Sequence, residues 1–296
     1  MKKFNAWIKA SRLQSQSYIF LPLLLGQIIA MAYTNSWSWA LFLLVQLYGI
    51  FIQLYIVYAN DYADIETDKI NKTFNIFSGG SRVLSSKLLS PSEVKRGAIV
   101  MASMTMMTAV VGYLIFNRPW LLLLSFVSLL LLWMYSYKPV QLSYRGGGEF
   151  LQMLGVGMVL PLFGYYSQAG SFESFPWLLF VVLLPTNLAC GMATSLPDEP
   201  SDKASKKRTS SVLFGLKRNM IYIILLNTIS MAMLIYLALS SAIISYSHIL
   251  LIPVLTILLQ LPLINAYPGS KKLTNYVALA VIFTLTITTL MAITFY

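Results

Sequence analysis

The residues best suited to chemistry lie in two short acidic runs. The first is Asn60-Asp61-Tyr62-Ala63-Asp64-Ile65-Glu66-Thr67-Asp68, continuous with an apolar block that ends at Ala59. If the helix runs on, each residue advances about 100°, so Asn60, Asp64 and Asp68 share one stripe with Asp61 at its edge. Glu66 falls on another side and is read as a solvated charge. Like carboxylates at this spacing repel, at roughly 0.2–0.5 kcal/mol per pair. Such a stripe makes physical sense once divalent cations sit on it. The second run is Asp198-Glu199-Pro200-Ser201-Asp202, again with two aspartates four apart. Pro200 is tolerated if Asp198 lies at a helix start. Lys203, Lys206, Lys207, Arg208 and Thr209 follow closely.

The ligands are hard oxygens with no His or thiolate among them, which selects Mg²⁺, Mn²⁺ or Ca²⁺ over zinc. Mg²⁺ binds through one or two carboxylates plus substrate phosphates. Acid runs beside a Lys/Arg cluster therefore predict a Mg²⁺–diphosphate site. Its metal ligands are expected among Asn60, Asp61, Asp64, Asp68, Asp198 and Asp202. Asp64, Asp68, Asp198 and Asp202 are the expected catalytic carboxylates. The diphosphate is expected to meet Asn60, Arg82, Lys138, Arg145, Lys207 and Arg208. One acidic run alone is as often a solvated face. Two runs at the ends of apolar blocks, sharing a spacing of four, favour the metal site. Gly79-Gly80 and Gly146-Gly147-Gly148 permit close backbone approach nearby, although glycine runs are more often plain turns.

The elements that carry these residues are dictated by composition. Of 296 residues, 57% are hydrophobic and only 10% charged, and the mean hydropathy is +0.71. Soluble chains carry about a quarter charged residues. The apolar residues form long continuous blocks, and a helix crosses the bilayer core with about 20 of them. Backbone groups in lipid must be paired internally, and the blocks are too long for barrel strands. The expected fold is all-α: a polytopic bundle of nine transmembrane helices near 17–34, 38–59, 97–116, 119–135, 150–167, 176–196, 219–239, 247–265 and 275–295. Residues 1–16 are expected to form an amphipathic helix on the membrane surface. Ala30 and Ala32 form a leader-like pattern, but the block around them is long enough to span. The whole of 1–296 is taken as one membrane-embedded domain.

Charge placement sets the orientation. With the N-terminus inside, the segments 1–16, 60–96, 136–149, 197–218 and 266–274 hold every Lys and Arg except Arg118. That asymmetry places the N-terminus and the acidic runs in the cytoplasm, and the protein in a plasma (inner) membrane. Every Asp and Glu except Glu173 lies on the same side. The loops 60–96 and 197–218 are thus the catalytic loops. The formal net charge of +11 is accounted for by these loops near anionic headgroups, not by nucleic acid. The single Cys190 excludes an internal disulfide. The lone His248 and the Met cluster at 101–107 are assigned no chemistry.

With these motifs in place the sequence resembles the UbiA-type superfamily of intramembrane aromatic prenyltransferases. Asn60-x-x-x-Asp64-x-x-x-Asp68 is similar to its first motif, and Asp198-x-x-x-Asp202 to its second. Lys207-Arg208-Thr209 resembles the G-K-R-T tail, with Lys206 where Gly is common. Phe77-Ser78-Gly79-Gly80-Ser81-Arg82-Val83-Leu84 and Tyr144-Arg145-Gly146-Gly147-Gly148-Glu149 look most like the 1,4-dihydroxy-2-naphthoate branch of menaquinone biosynthesis. The resemblance implies nine helices, Mg²⁺, a polyprenyl diphosphate and a small aromatic acceptor. It also implies an electrophilic transfer in a water-poor pocket. Aromatic residues such as Trp133, Tyr135, Tyr165 and Tyr166 are candidates to face the cation. Another acceptor, such as 4-hydroxybenzoate, is the alternative within the superfamily. A transporter with an acidic inner vestibule is the alternative from another class. Transporters place polar groups near mid-membrane, whereas here the carboxylates sit at the ends of the blocks.

Overall fold

A computed structural model describes residues 2–240 and 251–295. Every regular element among them is helical. The chain opens with α1 (Lys2–Ala10) and a 3₁₀ turn, Leu13–Gln16, then runs through α2 (Ser17–Thr34), α3 (Trp39–Ala63) and the short α4 (Ile65–Ile70). A long loop leads to α5 (Pro91–Phe116) and α6 (Trp120–Ser136), then to α7 (Leu142–Arg145) and α8 (Gly148–Leu154). A π-helical turn, Gly155–Val159, joins α8 to α9 (Leu160–Ala169). After α10 (Phe180–Ser195) come α11 (Glu199–Ala204), α12 (Ser210–Phe214) and α13 (Leu216–Ser240). The last elements are α14 (Leu251–Gln260) and α15 (Lys271–Phe295).

Helices occupy all nine predicted blocks within the described residues. Among the described residues seven stretches are long and apolar enough to cross a membrane; α6 and the described part of α14 are shorter. The chain is an integral membrane protein. The start of the eighth predicted span, including His248, lies outside the described residues. Helix α5 begins at Pro91, six residues before the predicted span. The cause is local: Ser90 accepts from the Glu93 N–H while Glu93 accepts from the Ser90 N–H, a capping box with Pro91 in the first turn.

Packing brings the elements together by two means. Helices α2 and α9 cross at paired glycines. A Cβ on Gly26 would stand 2.0 Å from the Pro161 carbonyl oxygen, and one on Gly164 would stand 2.1 Å from that of Leu23. Only glycine permits backbones this close, the usual device where lipid supplies no hydrophobic drive. Elsewhere large side chains fill the interior, as where Tyr48 of α3 stacks on Phe163 of α9 at 3.8 Å. Several hydroxyls inside the bundle are satisfied locally. Thr105 donates to the Met101 carbonyl and Thr288 to that of Thr284, four residues back, as apolar surroundings require.

The N-terminal segment opens with a helix, α1, that packs one face on the bundle. Ala6 and Ala10 of α1 are buried, and Trp7 meets Tyr58 edge-on at 5.2 Å. Helix α1 is therefore docked on α3 and α5, leaving Phe4 and Ile8 exposed. The turn after it puts Arg12 in the left-handed region at φ 44, which carries its side chain into the bundle.

Candidate active site

The two acidic runs meet at one end of the bundle. The first forms as predicted, with one change. Asp64 donates its N–H to the Asn60 carbonyl and Asp68 to that of Asp64, so the stripe persists. The helix nevertheless breaks at Asp64 (φ −96, ψ 15), which ends α3 and precedes α4. Asp198 closes a 3₁₀ turn, Asp202 sits in α11, and α11 packs on α4.

Each carboxylate has its own partners. Asp64 accepts from the Lys207 ammonium at 2.8 Å and from the Tyr144 hydroxyl at 3.0 Å. Asp198 accepts from the Asn71 amide at 2.7 Å and from the Gly79 N–H at 3.0 Å. Asp202 accepts from the Thr209 hydroxyl at 3.1 Å. The Asp68 carboxylate accepts no hydrogen bond from any described residue. Burial, together with the charges of Asp64 and Asp61, pushes its pKa up to about 7 against the opposing charge of Arg12. Burial pulls the Lys207 ammonium down, but Asp64, Tyr135 and Asp202 outweigh it and hold it well above its ordinary value.

Between these walls opens a cavity of about 290 Å³. Asp64, Asp68, Asp198, Asp202, Arg12 and Lys207 line its mouth; Ile52, Ile56, Leu131, Val156 and Leu160 line its depth. Charge gathers at one end and hydrocarbon at the other. The loop after α4 forms part of the mouth through Ser78, Gly79 and Gly80. Gly79 reaches Asp198 through its N–H, and the Gly80 backbone (φ +68) lies so close to Asp68 that a Cβ would stand 2.0 Å from Oδ2.

The sequence-predicted residues divide into two groups. Asn60, Asp64, Asp68, Asp198, Asp202 and Lys207 line the cavity. Asp61, Arg82, Lys138, Arg145 and Arg208 do not. Asp61 is occupied from behind: Arg12 donates to one oxygen, the Ser81 hydroxyl to the other, and the Ser81 N–H adds a bond at 3.2 Å. Arg82 donates to the carbonyls of Asp68 and Asn71 and lies over the Phe74 ring at 4.4 Å, so it fixes the loop. Lys138, Arg145 and Arg208 are exposed. Of the four candidate aromatics only Tyr135 lines the cavity. Tyr165 and Tyr166 are buried in the bundle core.

Arg12, Asn71, Tyr144 and Glu149 were not singled out by spacing as site residues. Asn71 had a signal, since eleven residues past Asn60 it returns to within roughly 20° of the same stripe. Arg12 and Tyr144 had none, because only the tertiary fold brings them to the acids.

The donor set fits a hard divalent ion. The Asn60 Oδ1 is buried and has no partner, a cost few native side chains bear without a ligand. Among the described residues no three acidic, His or Cys side chains gather closely enough to enclose a metal alone. Mg²⁺ takes such open sites when phosphate oxygens complete its shell.

Comparison with known proteins agrees with this geometry. The chain is 27% identical over 219 residues to the 1,4-dihydroxy-2-naphthoate octaprenyltransferase of Mycobacterium leprae (strain TN), covering 73% of this chain and 71% of that one. It is 26% identical over 218 residues to the enzyme of that name from Mycobacterium tuberculosis (strain ATCC 25618 / H37Rv), covering 73% and 72%. Its fold is similar to that of a UbiA homolog from Archaeoglobus fulgidus solved with DMAPP and Mg²⁺, with a TM-score of 0.70 at 15% identity over 97% of this chain and 98% of that one. The sequence profile of the UbiA prenyltransferase family matches residues 19–282. This span contains both acidic runs and all of the cavity lining except Arg12, Ser15 and Tyr18, and the chain belongs to the UbiA prenyltransferase family.

Proposed function

We propose that this enzyme transfers a polyprenyl group from its diphosphate to 1,4-dihydroxy-2-naphthoate, with Mg²⁺, at the cytoplasmic face of the plasma membrane. The observation that carries the reading is the shape of the cavity. Its mouth joins carboxylates to two cations, and its deeper wall is mostly apolar, as a diphosphate with an isoprenoid tail requires. Asn60, Asp64, Asp68, Asp198 and Asp202 hold the metal. Bound Mg²⁺ supplies positive charge to the oxygens of the departing diphosphate. Lys207 and Arg12 face the remaining oxygens. Tyr144 and Thr209 orient Asp64 and Asp202 through their hydroxyls. The apolar walls keep water from the allylic carbon once its C–O bond breaks, and Tyr135 presents an aromatic ring there. The acceptor ring attacks that carbon and then loses carbon dioxide or a proton. The acceptor assignment rests on the named relatives and on Tyr144-Arg145-Gly146-Gly147-Gly148-Glu149. Cytoplasmic placement and a nine-span count rest on the Lys and Arg asymmetry, and 1–296 is taken as one continuous domain.

The test is a transfer assay with radiolabelled polyprenyl diphosphate, offering 1,4-dihydroxy-2-naphthoate or 4-hydroxybenzoate, with and without Mg²⁺. The expected result is Mg²⁺-dependent product with the naphthoate. Product with 4-hydroxybenzoate alone would overturn the acceptor. Absence of diphosphate cleavage by folded protein would overturn the reaction.

A further inference from the structure

Glu149 faces two cavities. On one side it lines the cavity of the active site. On the other it lines a second, apolar groove of about 330 Å³ bounded by α8, α10, α12 and α13. Phe150, Leu213, Phe214 and Leu225 form walls of this groove and are exposed on the outside of the bundle. In an integral membrane protein that outside is lipid. The groove therefore links the bilayer to Glu149, and Glu149 links it to the active site.

The inner end of the groove is polar and incompletely satisfied. Glu149 is 9% exposed. Its Oε1 accepts from the Ser210 N–H at 2.7 Å, and its Oε2 accepts from no described residue. The Ser210 hydroxyl also lines the groove and is buried without a partner. Two arginines have their backbone beside this lining. Gly146, a lining residue, directly follows the exposed Arg145, and the Arg208 carbonyl oxygen lies 3.6 Å from where a Gly146 Cβ would stand. Apolar walls, an inner hydrogen-bond acceptor and two exposed arginines next to the lining suit an aromatic ring bearing hydroxyl and carboxylate groups.

We infer that this groove admits and holds the acceptor, which enters from the bilayer with its ring between α8 and α13. The inference rests on the prenyl-transfer reading above. The acceptor's hydroxyl donates to Glu149 Oε2, and its carboxylate pairs with Arg145 and Arg208. A hydrogen bond from the hydroxyl to the Glu149 side chain raises electron density in the ring, and no bond is made or broken in that step. The ring edge then faces the cavity where the allylic carbon lies. This assigns Arg145 and Arg208 to the acceptor and not to the diphosphate. A lipid acyl chain would use the same walls but would need neither Glu149 nor the cations.

The test is steady-state kinetics of purified protein in lipid nanodiscs, with Glu149→Gln, Leu225→Trp and Arg145→Ala. Gln still accepts from the Ser210 N–H but presents an NH₂ where the acceptor's hydroxyl needs a lone pair. A hydrogen bond to a charged group lost in this way corresponds to about tenfold or more in affinity. Glu149→Gln and Leu225→Trp are each expected to raise the acceptor KM by about that factor, with the KM for polyprenyl diphosphate unchanged. Arg145→Ala is expected to raise KM for the naphthoate but not for 1,4-dihydroxynaphthalene, which lacks the carboxylate. An unchanged acceptor KM in both Glu149→Gln and Leu225→Trp would overturn the inference and leave the groove to lipid. An equal rise in both substrates' KM would overturn it in favour of a structural role. A wild-type protein that prenylates no aromatic acceptor would overturn the underlying reading instead.

Discussion

Lys207 sets its ammonium 2.8 Å from the Asp64 carboxylate, with both side chains less than a tenth exposed. This single pair ties the second acidic loop to the end of α3. Breaking a buried pair by removing one partner leaves a charge in low dielectric and costs about 3–5 kcal/mol. Lys207→Met is therefore expected to lower the unfolding temperature and to abolish turnover. Lys207→Arg, which keeps the charge, is expected to recover much of the stability. Thermal unfolding in detergent with a transfer assay checks both. A melting curve equal to wild type for Lys207→Met would show that the pair contributes nothing.

Asp64→Asn and Asp202→Asn are expected to reduce turnover to about 1% or less, the scale of losing a charge-stabilising group, with membrane insertion intact. Asp61→Asn is expected to behave differently. Its oxygens are taken by Arg12 and Ser81, so the loss should appear as reduced stability and not as weaker Mg²⁺ binding. Mg²⁺ titrations and unfolding curves on the three variants separate these roles. A Mg²⁺ affinity for Asp61→Asn as poor as that of Asp64→Asn would return Asp61 to the ligand set.

Asp68 makes the site pH-sensitive. Its carboxyl is held up at about 7 by burial and by neighbouring acids, and only its ionised form binds a cation. Mg²⁺ binding then releases a proton, so apparent affinity falls as pH drops through about 7. The expected change is about tenfold between pH 8 and pH 6, measured by Mg²⁺-dependent turnover or calorimetry. Stability without Mg²⁺ moves the other way. A folded-state pKa above the unfolded one stabilises at low pH, and that contribution is lost as pH rises through about 7. Asp68→Asn should flatten both dependences. A wild-type Mg²⁺ affinity independent of pH over this range would refute the assignment.

Much of this site was legible because helical periodicity is local. Asn60, Asp64 and Asp68 share a face whether or not anything packs on them. The same holds for the apolar blocks, whose membrane role follows from the cost of unpaired backbone in lipid. What stayed hidden depends on chain segments far apart in sequence. Asp61 and Asp64 look equivalent along the helix, yet Arg12 arrives from behind one and Lys207 from the side of the other. Arg82 looked like a phosphate ligand because a cation beside an acidic run suggests one. In the fold it donates to the carbonyls of Asp68 and Asn71, because the end of α4 leaves carbonyls without helical partners.

Gly80 offers the sharpest test of how the loop shapes the site. At φ +68, with Asp68 Oδ2 only 2.0 Å from a would-be Cβ, it faces two separate penalties on substitution. The conformational one is about 1–2 kcal/mol for a residue with a Cβ. The steric one pushes on Asp68, an expected metal ligand. Gly215 provides the control, because it too has positive φ, at +78, but a Cβ there would meet nothing within 4 Å. Gly215→Ala should therefore lose some stability while keeping Mg²⁺ affinity. Gly80→Ala should lose both, with the concentration of Mg²⁺ needed for half-maximal turnover rising about tenfold or more, the scale of one displaced charged ligand. If the two variants shift stability equally and neither changes the Mg²⁺ requirement, the Gly80 turn does not position Asp68.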